Sequence, residues 1–99
     1  MAQVARKHRP AWLIDKDLAN LLGLWRTVEV QAAEWPEWDR DSRMDFVLEW
    51  PIERETLVRV EEVASAGLLN ERQQRDWQEL RQLIEMHRGT MEWMLGEPI

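Results

Sequence analysis

Residues 14–35 read IDKDLANLLGLWRTVEVQAAEW, and this stretch decides the fold class. Its apolar residues recur at steps of four and three positions, which places them on one face of an α-helix. Asp15 or Asp17 is suited to cap the start of this helix, and Pro36 ends it because proline has no backbone N–H. The pattern predicts a first helix over 15–35 with this buried face: Ile14, Leu18, Leu21, Trp25, Val28, Ala32 and Trp35.

Two further helices are predicted on either side of Pro51. Ser42 and Asp45 have the spacing of a capping box, so a short helix is expected over 42–50. Pro51 suits the first position of the next helix, predicted over 51–66, because its missing N–H costs nothing there. The inward residues are expected to be Met44, Val47 and Leu48 in the short helix, and Leu57, Val60, Val63 and Ala64 in the longer one.

The last predicted helix spans residues 70–88. Gly67 is placed as a left-handed stop before it, and Asn70 with Gln73 again has capping-box spacing. Gly89 is expected to break the helix and leave a short C-terminal turn. The inward face continues through the turn and consists of Trp77, Leu80, Ile84, His87, Met91 and Met94.

These segments predict an all-α fold, since no run of β-branched residues alternates with polar ones. Short links make sequential helices antiparallel, so the third and fourth are expected as an antiparallel hairpin within a small four-helix bundle. The chain of 99 residues has the length of one domain. We expect a basic, flexible arm over residues 1–9 and a single helical domain over residues 10–99.

The amino-acid composition excludes most classes of catalytic site. The chain has no cysteine, no tyrosine and only two histidines. Thiolate chemistry and sulfur-based zinc sites are therefore absent, and its four glycines never approach the spacing of a phosphate-binding loop. His87 is expected to be a hydrogen-bonded core or interface residue, because no Glu-x-x-His pair accompanies it. We expect no enzyme activity, no cofactor and no metal site.

Membrane insertion is also not expected. The longest uncharged stretches, residues 18–25 and 63–70, are eight residues each, whereas a membrane span needs about twenty. The apolar run at residues 11–14 is shorter than the roughly 7–15 residues of a signal-peptide core. These lengths predict a cytoplasmic protein without a membrane partner.

Tryptophan supplies seven of the eight aromatic residues. Trp25 and Trp77 lie on the predicted apolar faces and are expected in the core. The remaining rings have two interpretations: they plug the ends of helices, or some form a docking patch, since tryptophan and arginine are enriched at binding hot spots. The candidate patch consists of Trp35, Trp38 and Trp93 with Arg40 and Arg43.

The function predicted from these features is protein–protein interaction, as a homodimer or as a small subunit or regulator of a larger protein. One alternative is an antitoxin-like or transcription-associated protein whose arm residues Arg6, Lys7 and Arg9 contact nucleic acid. The net charge of -6 opposes this alternative, because an acidic body repels phosphate. Another alternative is an enzyme without a nucleophile that clamps a small anion between arginine and glutamate, with Arg26 as the candidate arginine.

Overall fold

The computed structural model describes residues 9–99. Within this range the predicted all-α class is confirmed, because no described residue lies in a β-strand. The elements are α1 (Ala11–Arg26), α2 (Val28–Glu34), a 3-10 helix (Trp35–Glu37), α3 (Arg40–Ser65) and α4 (Glu71–Leu95).

The predicted helix over 15–35 ends within one residue of its predicted end, but its start and its continuity are wrong. It starts earlier, after Pro10, and it is interrupted at Thr27, where φ is -105° and ψ is 1°. The Thr27 hydroxyl donates to the carbonyl oxygens of Gly23 and Leu24, both at 3.0 Å. This local hydrogen bonding competes with the helical backbone pattern and favours a break.

α3 is one continuous helix where two were predicted, and Pro51 lies inside it. Its N-cap is Asp39 and not Ser42: the Asp39 carboxylate accepts a hydrogen bond from the Ser42 backbone N–H at 2.7 Å. This hydrogen bond lowers the pKa of Asp39, so the cap keeps its charge into the acidic range. A proline inside a helix removes one backbone hydrogen bond and crowds the carbonyl four residues earlier, and burial of Trp50 and Val60 holds the helix on both sides of Pro51.

α4 begins as predicted and continues past its predicted end. The Asn70 side chain accepts from the Gln73 backbone N–H at 2.8 Å, and the Gln73 side chain accepts from the Asn70 backbone N–H at 3.0 Å. The helix does not stop at Gly89, because a glycine in a helix costs about 1 kcal/mol while each large buried side chain beyond it gains about 1.5–3 kcal/mol. Gly96, with φ of 76°, ends the helix instead.

The core is built mainly by α1 packing on α4, with fewer contacts from α3 to either helix. Gln73, at the start of α4, donates from its side-chain amide to Asp15 Oδ1 at 3.0 Å and to the Ala11 carbonyl at 3.3 Å. Asp15 therefore joins two helices and does not cap one. Most of the predicted inward residues are buried: Ile14, Leu18, Leu21, Trp25, Val28 and Trp35 of the first predicted face, and Trp77, Leu80, Ile84, His87, Met91 and Met94 of α4. Ala32, the remaining residue of the first face, is half-buried.

Two glycines should respond oppositely to alanine. Gly89 lies inside α4, and a Cβ built there meets nothing within 4 Å. We expect Gly89→Ala to raise the free energy of unfolding by about 0.5–1 kcal/mol, through helix propensity. Gly67→Ala should lower it by a similar amount, because φ at Gly67 is 72°. Urea unfolding followed by circular dichroism measures both, and equal signs would contradict the assignment.

Candidate interaction surface

The predicted tryptophan patch begins with an aromatic cluster between the 3-10 helix and α3. The ring centre of Trp35 lies 5.3 Å from that of Trp38 and 5.5 Å from that of Phe46. Trp38 and Phe46 are 6.1 Å apart and edge-to-face. Trp35 is only 9% exposed, while Trp38 is half-buried. The rings bury one another, which is how an aromatic plug at a helix end behaves.

Arg43 holds this cluster in place from α3. Its Nε donates to the Trp35 carbonyl at 3.0 Å, and its Nη2 donates to the Pro36 carbonyl at 2.9 Å. The guanidinium carbon lies 5.7 Å from the centre of the Trp35 ring, within cation–π range. Arg43 thus satisfies two carbonyls in the 3-10 helix. The structure brings Trp35, Trp38 and Arg43 together.

The other two predicted patch residues lie on the surface. Arg40 is the exposed first residue of α3, and Trp93 of α4 is 59% exposed. Among residues 9–99, no aromatic contact joins Trp93 to the cluster around Trp35. A docking role for these five residues stays a prediction, and little of the Trp35 ring is accessible to a partner.

A larger apolar surface lies on α3, which the sequence analysis missed. We call Met44, Leu48, Ile52 and Val58 the outer stripe; their exposed fractions are 47%, 65%, 65% and 45%. At about 100° per residue, these side chains share one face of α3, opposite to the buried Val60. The expectation that Met44 and Leu48 point inward is therefore wrong.

The wrong prediction for Met44 and Leu48 follows from dividing α3 into two helices at Pro51. Taken alone, residues 42–50 have one convincing apolar face, through Met44 and Leu48. In the continuous helix the face that meets the core passes instead through Phe46, Trp50 and Leu57. Treating residues 40–65 as a single helix would have revealed apolar residues on two opposite faces.

A hollow of about 270 Å³ lies beside the outer stripe. Pro51, Arg54, Glu55 and Val58 surround it, and Trp50 and Glu97 also line it. The first four positions are i, i+3, i+4 and i+7 of one helix, the spacing that forms the hole of knobs-into-holes packing. This face can therefore receive a side chain from a second helix.

A wider groove of about 950 Å³ lies between the end of α3 and the start of α4. Its charged lining is mixed: Glu61, Glu71 and Glu79 with Arg75 and Arg81. Mixed signs are typical of a solvated surface and select neither an anion nor a cation.

Arg26, the candidate anion clamp, forms an exposed ion pair. Its Nε and Nη2 both donate to Glu79 Oε2, at 2.8 Å and 2.5 Å. The side chains are 54% and 43% exposed. The guanidinium is thus at the surface and occupied by a carboxylate, whereas the enzyme alternative needs an arginine inside the bundle.

The basic arm is described only at its last residue. Arg6 and Lys7 lie outside the described residues. Arg9 Nε donates to Asp17 Oδ2 at 2.5 Å, and its Nη2 donates to Asp17 Oδ1 at 3.1 Å. The Asp17 side chain is 8% exposed. Asp17, one of the two candidate caps of α1, instead binds Arg9, which precedes α1, through a bidentate ion pair.

Neither a metal site nor a membrane-spanning helix is found within residues 9–99. No group of three histidine, cysteine, aspartate or glutamate side chains is placed to hold a metal ion in this range. None of the helices found there has the length and apolar character needed to cross a bilayer. His87 is buried in α4.

Comparison with known proteins gives no relative: no protein-family model, curated protein or solved structure matches the chain.

The Arg9–Asp17 pair should stabilise the fold. We expect Arg9→Met to lower the free energy of unfolding by about 1–3 kcal/mol, because it leaves a buried carboxylate without a partner. Adding Asp17→Asn to Arg9→Met should recover part of the loss. A double-mutant cycle by urea unfolding measures the coupling, and a coupling near zero would show that the pair is not formed in solution.

The half-buried Glu53 should destabilise the fold at neutral pH. Burial, and then repulsion from Glu49 one turn earlier, raise the pKa of Glu53. A folded-state pKa above the unfolded value means that stability is lost as the pH rises through the folded pKa. Glu53→Gln should therefore be more stable than the natural chain at pH 7, and the difference should disappear below about pH 4. Glu62→Gln, at an exposed position, is the control; a Glu53→Gln advantage that persists in acid would contradict this explanation.

Proposed function

We propose that this chain is an interaction protein that binds another protein through the outer stripe of α3, as a homodimer or as a small subunit or regulator of a larger protein. One observation carries the proposal: α3 has apolar residues on two opposite faces, and only one of them contacts the core. Single exposed apolar residues are ordinary, whereas several on one face of a helix are typical of an interaction site.

The geometry of the stripe supports a helical or groove-shaped partner. From Met44 to Val58 the stripe extends for about 21 Å at 1.5 Å per residue. The stripe residues are four, four and six positions apart, and anchors that share one helix face are how one helix is recognised by another helix or by a groove. Arg40 lies one turn before Met44 on the same face, so one residue of the predicted docking patch belongs to the proposed surface.

The molecule is elongated, as expected if one face of α3 is left uncovered. The principal extents are 51 × 24 × 21 Å, and the radius of gyration is 15.1 Å, compared with about 12.5 Å for a compact chain of this length. We propose the four-helix bundle with α3 and α4 as an antiparallel hairpin, which the short link of residues 66–70 supports. A cytoplasmic location stays a prediction.

The two alternative functions have less support. Arg9, one of three arm residues assigned to nucleic acid, is already held by Asp17. Arg26, the candidate catalytic clamp, is exposed and held by Glu79. The outer stripe has no corresponding partner among the described residues, so it favours protein binding.

Matched lysine substitutions test the proposed surface. Leu48 and Met86 are 65% and 71% exposed, on α3 and α4 respectively. Neither change should unfold the chain, which thermal unfolding by circular dichroism checks. We expect Leu48→Lys to abolish association, measured as the mass by light scattering and as capture of partners from the source lysate. Met86→Lys should associate like the natural chain.

Two results would contradict the proposal. Association that Leu48→Lys leaves unchanged would move the interaction site away from α3. A natural chain that neither self-associates nor retains any protein in a Leu48-dependent manner would remove protein binding as its function.

A further inference from the structure

We infer that the outer stripe binds a second copy of this chain, α3 against α3 in antiparallel orientation, with the two-fold axis near Ile52. The inference rests on the proposed function and specifies its partner. Four observations support this partner: the charges beside the stripe, the steric fit of its apolar residues, the hollow around Pro51, and the weak existing contacts of Arg59.

One pair of opposite charges meets twice in this arrangement. With the axis at Ile52, a residue seven positions before it lies level with the residue seven positions after it in the other copy. Asp45 is then level with Arg59 of the second copy, about 10 Å from the axis, and the pair occurs twice. The two residues are fourteen positions apart, nearly four full turns, so both lie along the same side of the stripe.

Asp41, one turn before Asp45 on this side, adds a second carboxylate near Arg59 of the other copy. A parallel two-fold pairing would instead place Arg59 about 21 Å along the helix from Asp45 of the other copy and on the opposite side of the contact, so this ion pair could not form. Complementary charges that meet in only one orientation fix that orientation. The charge pattern thus selects the antiparallel pairing.

The apolar residues fit the same register. Val58 of the second copy comes level with position 46, between Met44 and Leu48, so it enters the space between them. Symmetry places Val58 of the first copy between Met44 and Leu48 of the second. This interdigitation is the knobs-into-holes packing that antiparallel helices use.

The hollow is next to the proposed axis. Pro51 of the second copy comes level with position 53, at the edge of the hollow of about 270 Å³ that Pro51, Arg54, Glu55 and Val58 surround. Each proline ring therefore meets the hollow of the other copy. Since the contact is symmetric, one dimer fills the hollows of both copies.

Arg59 can take part because its present contacts are weak. Its Nη1 lies 3.5 Å from Glu55 Oε1, and the Glu55 side chain is 74% exposed. Nη2 donates to Thr56 Oγ1 at 3.2 Å, while Nε is buried without a hydrogen-bond partner. An exposed pair at this distance contributes little, so turning the guanidinium toward Asp45 of another copy costs little.

The size of the surface sets the expected affinity. A standard interface buries about 800 Å² on each partner, and smaller ones are typical of weak complexes. The protein surface is 6942 Å², so a standard interface would cover roughly a ninth of it. A contact restricted to one helix is at the low end of this range. We therefore expect dimerisation at micromolar concentrations.

Charge reversal tests the register. Asp45→Arg and Arg59→Asp should each weaken dimerisation by about tenfold or more, because both variants place like charges together twice. An equimolar mixture of the two variants should recover the affinity of the natural chain. In the mixed dimer the arginine introduced at position 45 meets the aspartate introduced at position 59, and the natural Arg59 meets the natural Asp45. Sedimentation equilibrium measures the masses against 11.9 kDa for one chain.

Glu85→Arg, the same change of charge on exposed α4, is the control and should dimerise like the natural chain. Circular dichroism establishes that both single variants are folded before they are mixed. Recovery on mixing requires contact between positions 45 and 59 of different molecules, so a general loss of stability would not produce it.

The outcomes separate this inference from the proposed function. A natural chain that stays monomeric at millimolar concentration overturns the dimer, while a Leu48-dependent partner in the lysate would preserve protein binding. A dimer that neither variant weakens, or that the mixture does not restore, overturns the antiparallel register. Loss with each variant and recovery in the mixture supports it.

Discussion

The apolar seam between α1 and α4 is the constraint on which the rest of the structure depends. Leu18, Leu21, Leu80 and Met91 are completely buried along it. Each such side chain gains about 1.5–3 kcal/mol on burial, more than the cost of a glycine in a helix. Burial along this seam therefore keeps α4 helical through Gly89. It also occupies the inner faces of both helices, so α3 meets a pair of helices that is already packed.

The position of α3 follows from this seam. Only one face of α3 contacts the core, and Trp50 anchors that face by meeting Trp25 edge-to-face, with ring centres 6.1 Å apart. The anchor lies next to Pro51, which explains how the helix tolerates a proline in its interior. The same arrangement leaves the outer stripe uncovered. One apolar face of α3 is thus packed inside the molecule, and the other is exposed.

The tryptophan-rich segment illustrates how composition and surface can diverge. Tryptophan and arginine suggested a docking patch, yet Trp35 is enclosed by Trp38 and Phe46, and Arg43 binds the carbonyls beneath it. The exposed apolar area instead comes from ordinary aliphatic residues of α3. Hot-spot composition identifies side chains that bind well when accessible, but accessibility depends on neighbours that are distant in sequence.

Local sequence determined the features that local forces control. The periodicity of α1 and α4 defined their buried faces, and Asn70 with Gln73 and Gly67 marked a start and a stop, because capping bonds and left-handed turns involve residues a few positions apart. Tertiary structure decided the continuity of α3 through Pro51 and the side of α3 that is buried. These depend on which side chains find partners in other helices. At Pro51 and Gly89 burial outweighs local helix preference.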